Sequence, residues 1–249
     1  MKNNGNVLIA GATSGIGRAL CLLYLKEGRK VAVTGRRKAL LEELKSLSPE
    51  RVFTYVSDIT SLKSASVIEQ AAEDMGGIGT IIICSGVGHI NAKLSAGPEI
   101  ETVKTNVLGF TDFAAAAYNY FANALSHSGE SGTLAGISSI ASFRGSDLAP
   151  SYYASKAYVS NYLEGLRKKA VKNKLKLNVC TVIPGFVDTA LAQGVGGNDG
   201  LFWIAPVDKA AAQIASALRR GKNIAYITRR WRLIAWLLKI IPDFIYNKI

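Results

Sequence analysis

The chain has 249 residues, 49% hydrophobic, 19% charged and 8% aromatic, with 24 Gly and 6 Pro. That length suits one large α/β domain, and the apolar share excludes disordered, collagen-like and low-complexity classes. Lys and Arg number 30 against 18 Asp and Glu, a formal charge of +12. Three cysteines without C-x-x-C spacing (Cys21, Cys84, Cys180) and two histidines (His89, His127) point away from a disulfide framework or a metal centre.

The basic excess lies in two stretches. Residues 164–176 hold six basic groups and one acid, residues 219–249 hold eight and one, and the remainder balances at 16 each. Such surfaces attract phosphates of nucleic acid, lipid or cofactor. No nucleic-acid reading motif accompanies them, so no nucleic-acid partner is expected. Neither a signal peptide nor an apolar run of ~20 residues is present. The expected location is the cytoplasm, with the inner face of a membrane as a peripheral site.

In chain order, short apolar runs alternate with longer periodic segments. Strands are expected at 7–10, 30–34, 52–56, 80–84, 133–137, 177–183 and 223–227. Helices are expected at 16–27, 39–47, 61–75, 99–125, 152–171 and 207–218. Seven strands joined by helices, several of them wholly apolar, indicate an α/β fold. It is a Rossmann-like, doubly wound, mostly parallel sheet with helices on both faces. No linker or repeat divides it. Residues 1–228 read as the nucleotide-binding and catalytic domain, and 229–249 as a basic amphipathic extension.

Between the first strand and the first helix lies Gly11-Ala12-Thr13-Ser14-Gly15-Ile16-Gly17. Glycines there let a pyrophosphate approach main-chain N–H groups at a helix start. No Gly-Lys-Ser/Thr follows, so this is not a Walker A loop. The second strand ends in Gly35-Arg36-Arg37-Lys38. An acid here would bind a ribose 2′-hydroxyl, whereas a guanidinium pairs with a 2′-phosphate. NADP(H) is therefore the expected cofactor, with NAD(H) as the alternative.

Tyr152 and Lys156 lie four residues apart, on one helix face. A phenol with a pKa of ~10 is a poor base at neutral pH, and a neighbouring ammonium would lower that value. Ser139, after the fifth strand, can reach the same oxygen.

These motifs together resemble the short-chain dehydrogenase/reductase family over nearly the whole chain. The family's glycine loop matches Gly11, Gly15 and Gly17, with Ala10 where Thr is usual. Its acidic residue by the adenine matches Asp58, followed by Ile59. Its active-site Asn matches Asn106, its catalytic trio Ser139, Tyr152 and Lys156, and its Pro-Gly turn Pro184-Gly185, followed by Val187 and Thr189. Ile83-Cys84-Ser85-Gly86 stands where Asn-Asn-Ala-Gly is usual, keeping Gly86 but changing the hydrogen bonding around the adenosine.

The resemblance implies hydride transfer between nicotinamide and a carbonyl or secondary alcohol. Tyr152 would be the acid/base. Lys156 would lower its pKa and hold the nicotinamide ribose. Ser139 would position the carbonyl, and Asn106 would hold a relay water. It also implies a small-molecule substrate and a homodimer or homotetramer. A nucleotide-binding regulatory protein with little turnover is the alternative.

Gly194, Gly196, Gly197 and Gly200 precede Leu201-Phe202-Trp203, a composition suited to a lid over a lipophilic substrate or to a loop tucked into the core. The tail 229–241 reads as a helix too short to span a bilayer. Trp231, Ile234, Ala235, Leu238 and Ile241 share one face and Arg229, Arg232 and Lys239 another, while Arg230 and Trp236 break the separation. It would pack on protein, either its own domain or a second subunit, or else contact a membrane.

Overall fold

The computed structural model describes residues 5–126, 130–189 and 203–247. Strands β1 (Val7–Ala10), β2 (Val31–Gly35), β3 (Val52–Val56), β4 (Thr80–Ile83), β5 (Gly132–Ile137), β6 (Leu177–Pro184) and β7 (Ile224–Ile227) form one sheet. Its order is β3-β2-β1-β4-β5-β6-β7, with every pair parallel. Val7 pairs with Val31 on one side and Thr80 on the other, so β1 is an interior strand.

The near-continuous apolar strands reflect helices covering both faces, because successive side chains point to opposite sides. Val7 and Ile9 pack with Leu20, Leu41 and Ile214, which come from α1 (Gly15–Lys26), α2 (Lys38–Ser46) and α7 (Val207–Arg219). Leu8 and Ala10 face the opposite cluster, with Ile68, Phe113 and Leu163 from α3 (Ser64–Met75), α5 (Phe110–Leu125) and α6 (Pro150–Lys172). Fully burying each such side chain contributes about 1.5–3 kcal/mol before the entropy of ordering. The fold is the doubly wound one that the strand and helix pattern implies.

Three elements differ from the sequence reading. The helix expected at 99–125 is α4 (Ala96–Val103), a π-helical turn (Lys104–Gly109) and α5. The helix expected from residue 61 is a 3₁₀ turn (Ile59–Ser61) capped by Asp58, whose carboxylate accepts from the Thr60 N–H at 2.9 Å, followed by α3. The tail forms α8 (Trp231–Ile240) and the short α9 (Asp243–Tyr246).

Within the first basic patch, Arg167 is a staple. It donates to the carbonyls of Val179 at 2.9 Å and Asn223 at 2.8 Å and to the Thr181 hydroxyl at 3.0 Å, tying α6 to β6 and to the start of β7.

Candidate active site

In a doubly wound sheet, ligands bind beyond the carboxyl ends of the strands, where the strand order reverses. Here that point lies between β1 and β4, and a cleft of about 410 Å³ opens there. Its lining includes Gly11, Thr13, Ser14, Gly15, Ile16 and Gly17 from the first loop, then Arg36, Arg37, Asp58 and Ile59. Farther along it includes Gly86, Ser139, Tyr152, Lys156, Pro184, Gly185, Val187 and Thr189. Of the residues singled out in the sequence, Asn106 lies behind this surface, 1% exposed.

Backbone contact explains the glycines. Gly11 has φ +81°, and a Cβ there would sit 2.6 Å from the Ser85 nitrogen. A Cβ on Gly17 would fall 2.2 Å from the Gly11 oxygen. The loop therefore closes on β4 and on itself at the start of α1, whose first turn has no acidic side chain. This cradle fits a pyrophosphate. Ser85, in the atypical Cys84-Ser85 pair, provides the surface against which Gly11 packs.

The cations at the end of β2 divide. Arg37 donates to the Thr13 hydroxyl at 2.6 Å and the Ser14 hydroxyl at 2.8 Å, bracing the phosphate loop. Arg36 lies 3.8 Å from the Asp58 carboxylate with its side chain 62% exposed. Arg37 occupies the N-cap position of α2 without a capping hydrogen bond, and no acid stands in that helix's first turn. Cations at a helix start oppose the dipole, which favours an anion at this corner.

α6 positions Tyr152 and Lys156 beside the end of β5. Ser138 donates to the Lys156 carbonyl at 2.9 Å, joining strand to helix. Ser139 accepts from the Ala141 N–H at 3.1 Å, and its hydroxyl is near enough to the Tyr152 phenol to lower that group's pKa. The Lys156 ammonium donates to the Ile137 carbonyl at 3.0 Å and lies 5.6 Å from the centre of the Tyr152 ring. Gly86 runs past it: a Cβ there would be 3.3 Å from Lys156 Nζ and 3.4 Å from Asn106 Oδ1.

Burial pushes the Tyr152 phenol up to about 12, the Ser139 hydrogen bond opposing and Tyr153 adding to the rise. Burial likewise brings the Lys156 ammonium down to about 8. The relay water expected on Asn106 finds the amide hydrogens already committed to the Val87 carbonyl at 2.7 Å and the Ser155 hydroxyl at 3.0 Å. Asn106 Oδ1 accepts from the Val87 N–H at 2.9 Å. Its side chain thus splints the Gly86–Val87 segment against α6. Cys84 also lines the cleft; burial raises its thiol to about 12, so it is protonated and unreactive.

Three supports were not singled out in the sequence, and a fourth, Trp231, was read only as part of the tail's apolar face. A Cβ on Gly88 would meet Tyr152 Cδ2 at 2.8 Å, so the loop lies flat on the phenol ring. The Glu99 carboxylate accepts from the Ser151 N–H at 3.0 Å, from its hydroxyl, and from the Asn91 amide at 2.7 Å, capping α6 one residue before Tyr152. Arg144 donates to the Ile241 carbonyl at 2.9 Å and pairs with Asp243 at 2.6 Å, clipping the tail to the loop after Ser139. Trp231, 2% exposed, lies against Gly185, where a Cβ would meet the indole Cε2 at 2.0 Å. Each partner is distant in sequence, so no local pattern marks these contacts.

The glycines of the suggested lid, with Leu201 and Phe202, lie outside the described residues. Trp203 is described, edge-on to Trp231 at 6.0 Å with the Arg230 guanidinium 5.2 Å from its ring. Among the described residues no group of three His, Cys, Asp or Glu side chains is placed to hold a metal ion. Nor is any described helix long and apolar enough to cross a membrane.

Parallel sheet, glycine cradle and Ser-Tyr-Lys cluster define an oxidoreductase of the dinucleotide-binding type. The chain belongs to the short-chain dehydrogenase family, whose model matches residues 5–199. An uncharacterized oxidoreductase of Staphylococcus aureus (strain USA300) is 32% identical over 197 residues, covering 77% of this chain and 82% of that protein. A hydroxysteroid 11-beta-dehydrogenase 1-like protein of Xenopus tropicalis is 27% identical, covering 76% of this chain and 66% of that protein. Among solved structures, a short chain dehydrogenase from Burkholderia cenocepacia J2315 in complex with NADP is similar, with a TM-score of 0.79 at 22% identity. That match covers 100% of this chain and 98% of that one. A short-chain dehydrogenase from Sphingobium yanoikuyae in complex with NADPH has a TM-score of 0.77 at 22% identity, covering 96% of each chain.

Proposed function

We propose that this oxidoreductase uses NADP(H) to interconvert a lipophilic carbonyl compound and its secondary alcohol, with Tyr152 as acid/base. The observation that carries the reading is the convergence of Ser139, Tyr152 and Lys156 in the same cleft as Arg36 and Arg37. Bound nicotinamide would supply or accept the hydride. Ser139 orients the substrate oxygen toward the phenol. Burial keeps the Tyr152 phenol protonated at neutral pH, the form that donates to the substrate oxygen in the reductive direction and is restored in the oxidative one. Lys156 supplies positive charge beside the phenolate left by that donation. Asn106 acts as a positioning residue through Val87 and Ser155.

Arg36 and Arg37 support the choice of cofactor, since only NADP(H) offers them a 2′-phosphate. The two structural relatives bind NADP and NADPH, which agrees with that reading. Lipophilicity rests on Phe186 and Tyr153 in the lining, on the aromatic neighbour Trp231, and on the steroid-related name of the Xenopus relative. We take 1–228 as the catalytic unit, with 229–249 as an extension that completes its wall.

The test is NADPH titration followed by oxidation with a panel of carbonyl compounds. Tyr152→Phe should bind NADPH and lose turnover; full turnover in that variant would refute the assignment. Arg36→Ala should weaken NADPH by roughly 1.5–3 kcal/mol, about ten- to a hundredfold, and spare NADH. Equal losses for the two cofactors would move discrimination to Arg37 or Lys38.

A further inference from the structure

α8 is apolar on two opposite sides. Its inner side carries Trp231 and Ala235, 2% and 1% exposed, so much of the apolar face assigned from the sequence packs on the chain's own domain. The outer side carries Leu233, Trp236, Leu237 and Ile240, which are 71%, 64%, 49% and 53% exposed. Phe244 and Ile245 of α9 follow at 69% and 42%. Contiguous apolar surface of this kind marks a contact site.

Charge decides the occupant. Arg229, Arg230, Arg232 and Lys239 are all exposed around this surface. The single acid within 229–247, Asp243, is already paired with Arg144. A second copy across a two-fold axis would set this basic surface as a whole against an equally basic one. A bilayer with anionic headgroups would accept both the cations and the apolar side chains.

We propose that the outer face of α8 and α9 docks the protein on an anionic membrane. The ten residues of α8 span about 15 Å, so the helix lies along the interface rather than across it. Trp236 sits at headgroup depth, where an indole is favoured. The surface is preformed: Arg144 holds Ile241 and Asp243, the Tyr246 hydroxyl donates to the Gly145 carbonyl at 2.6 Å, and Trp231 is wedged against Gly185. Because Gly185 and Phe186 line the cleft and Trp231 packs on both, docking would leave α8 between that end of the cleft and the lipid. The inference holds whichever carbonyl compound the site accepts.

Flotation of the full chain with phosphatidylcholine vesicles, with and without phosphatidylglycerol, tests it without any assay of turnover. The protein should float with the anionic vesicles at low salt and detach as salt rises. Binding to neutral vesicles should be at least about tenfold weaker. Combining Leu233→Ser, Trp236→Ser and Leu237→Ser alters only exposed side chains and should reduce anionic binding about tenfold or more, with an unchanged thermal melt. A variant ending at Thr228 is unsuitable, because it would remove the buried Trp231. If the triple variant misfolds, quenching of tryptophan fluorescence by brominated lipids should still occur in the parent and diminish in Trp236→Phe. No flotation at low salt would overturn the proposal, as would undiminished binding by a folded triple variant, or equal quenching in the parent and Trp236→Phe. A concentration-dependent dimer abolished by the triple variant would instead assign the face to a second copy.

Discussion

Lys156 is 5% exposed and donates to one carbonyl, so its charge is disfavoured by burial and its pKa falls from 10.5 to about 8. Between those values the unfolded chain keeps a proton that the folded chain has released. This group's stabilisation is therefore full above pH 10.5 and lost as pH falls through 8. Lys156→Met should remove that slope: its melting temperature, compared with the parent at pH 7 and pH 10, should gain most at pH 7. Tyr152 acts oppositely, since its raised pKa makes stability decline above pH 10. Gly88→Ala should push the phenol ring aside and lower kcat about ten- to a hundredfold at unchanged NADPH affinity, measured by steady-state kinetics and titration. Tyr152 and Lys156 were legible because helical spacing puts both on one face. Gly88 was not, because the atom it must avoid belongs to a residue far along the chain.

α6 begins at Pro150 and has no capping side chain of its own at Ala149. Glu99 supplies the missing acceptor, its carboxylate held below the usual range by the Ser151 hydroxyl, the Asn91 amide and the Ser151 N–H. Asn91 in turn donates its main-chain N–H to the Leu148 carbonyl at 2.7 Å, so two loops and a helix start are joined. Glu99→Ala should lower the urea midpoint and reduce kcat more than it raises KM, while Glu99→Gln, which keeps an acceptor, should recover most of both. The strands and most helices were readable from apolar runs and glycine stops. The π-helical turn was not, because an Ala-rich periodic stretch looks the same with or without one extra residue.

Over the whole molecule, the tail is the clearest case of partial legibility. Its sequence showed a helix with an apolar face, but the surface that face meets is made by Gly185 and Phe186, which only the assembled sheet brings there. Trp231→Ala should cost about 3–5 kcal/mol, read from denaturant unfolding, because it empties a space that nothing else fills. It should also weaken the cleft wall, raising KM for bulky carbonyl substrates above that for small ones. The glycine loop after β1 and the basic end of β2 were visible as motifs, while the contacts that join them were not. The substrate side depends on what the tail covers and was visible only as composition.

The π-helical turn at Lys104–Gly109 has a rotational consequence. α5 is fixed in phase by Phe113, Ala117 and Phe121 against the sheet. One residue of α-helix turns the chain by about 100°. In an uninterrupted helix, α4 would therefore be rotated by about that angle, and Glu99 would turn away from Ser151. The extra residue works as a phase shifter, letting one helical run meet the sheet at one end and cap α6 at the other. Leu108, 53% exposed, looks like a position where chain length is free to vary. It is instead part of the count that keeps the carboxylate on the helix carrying Tyr152, so substitutions there are cheap and deletions are not.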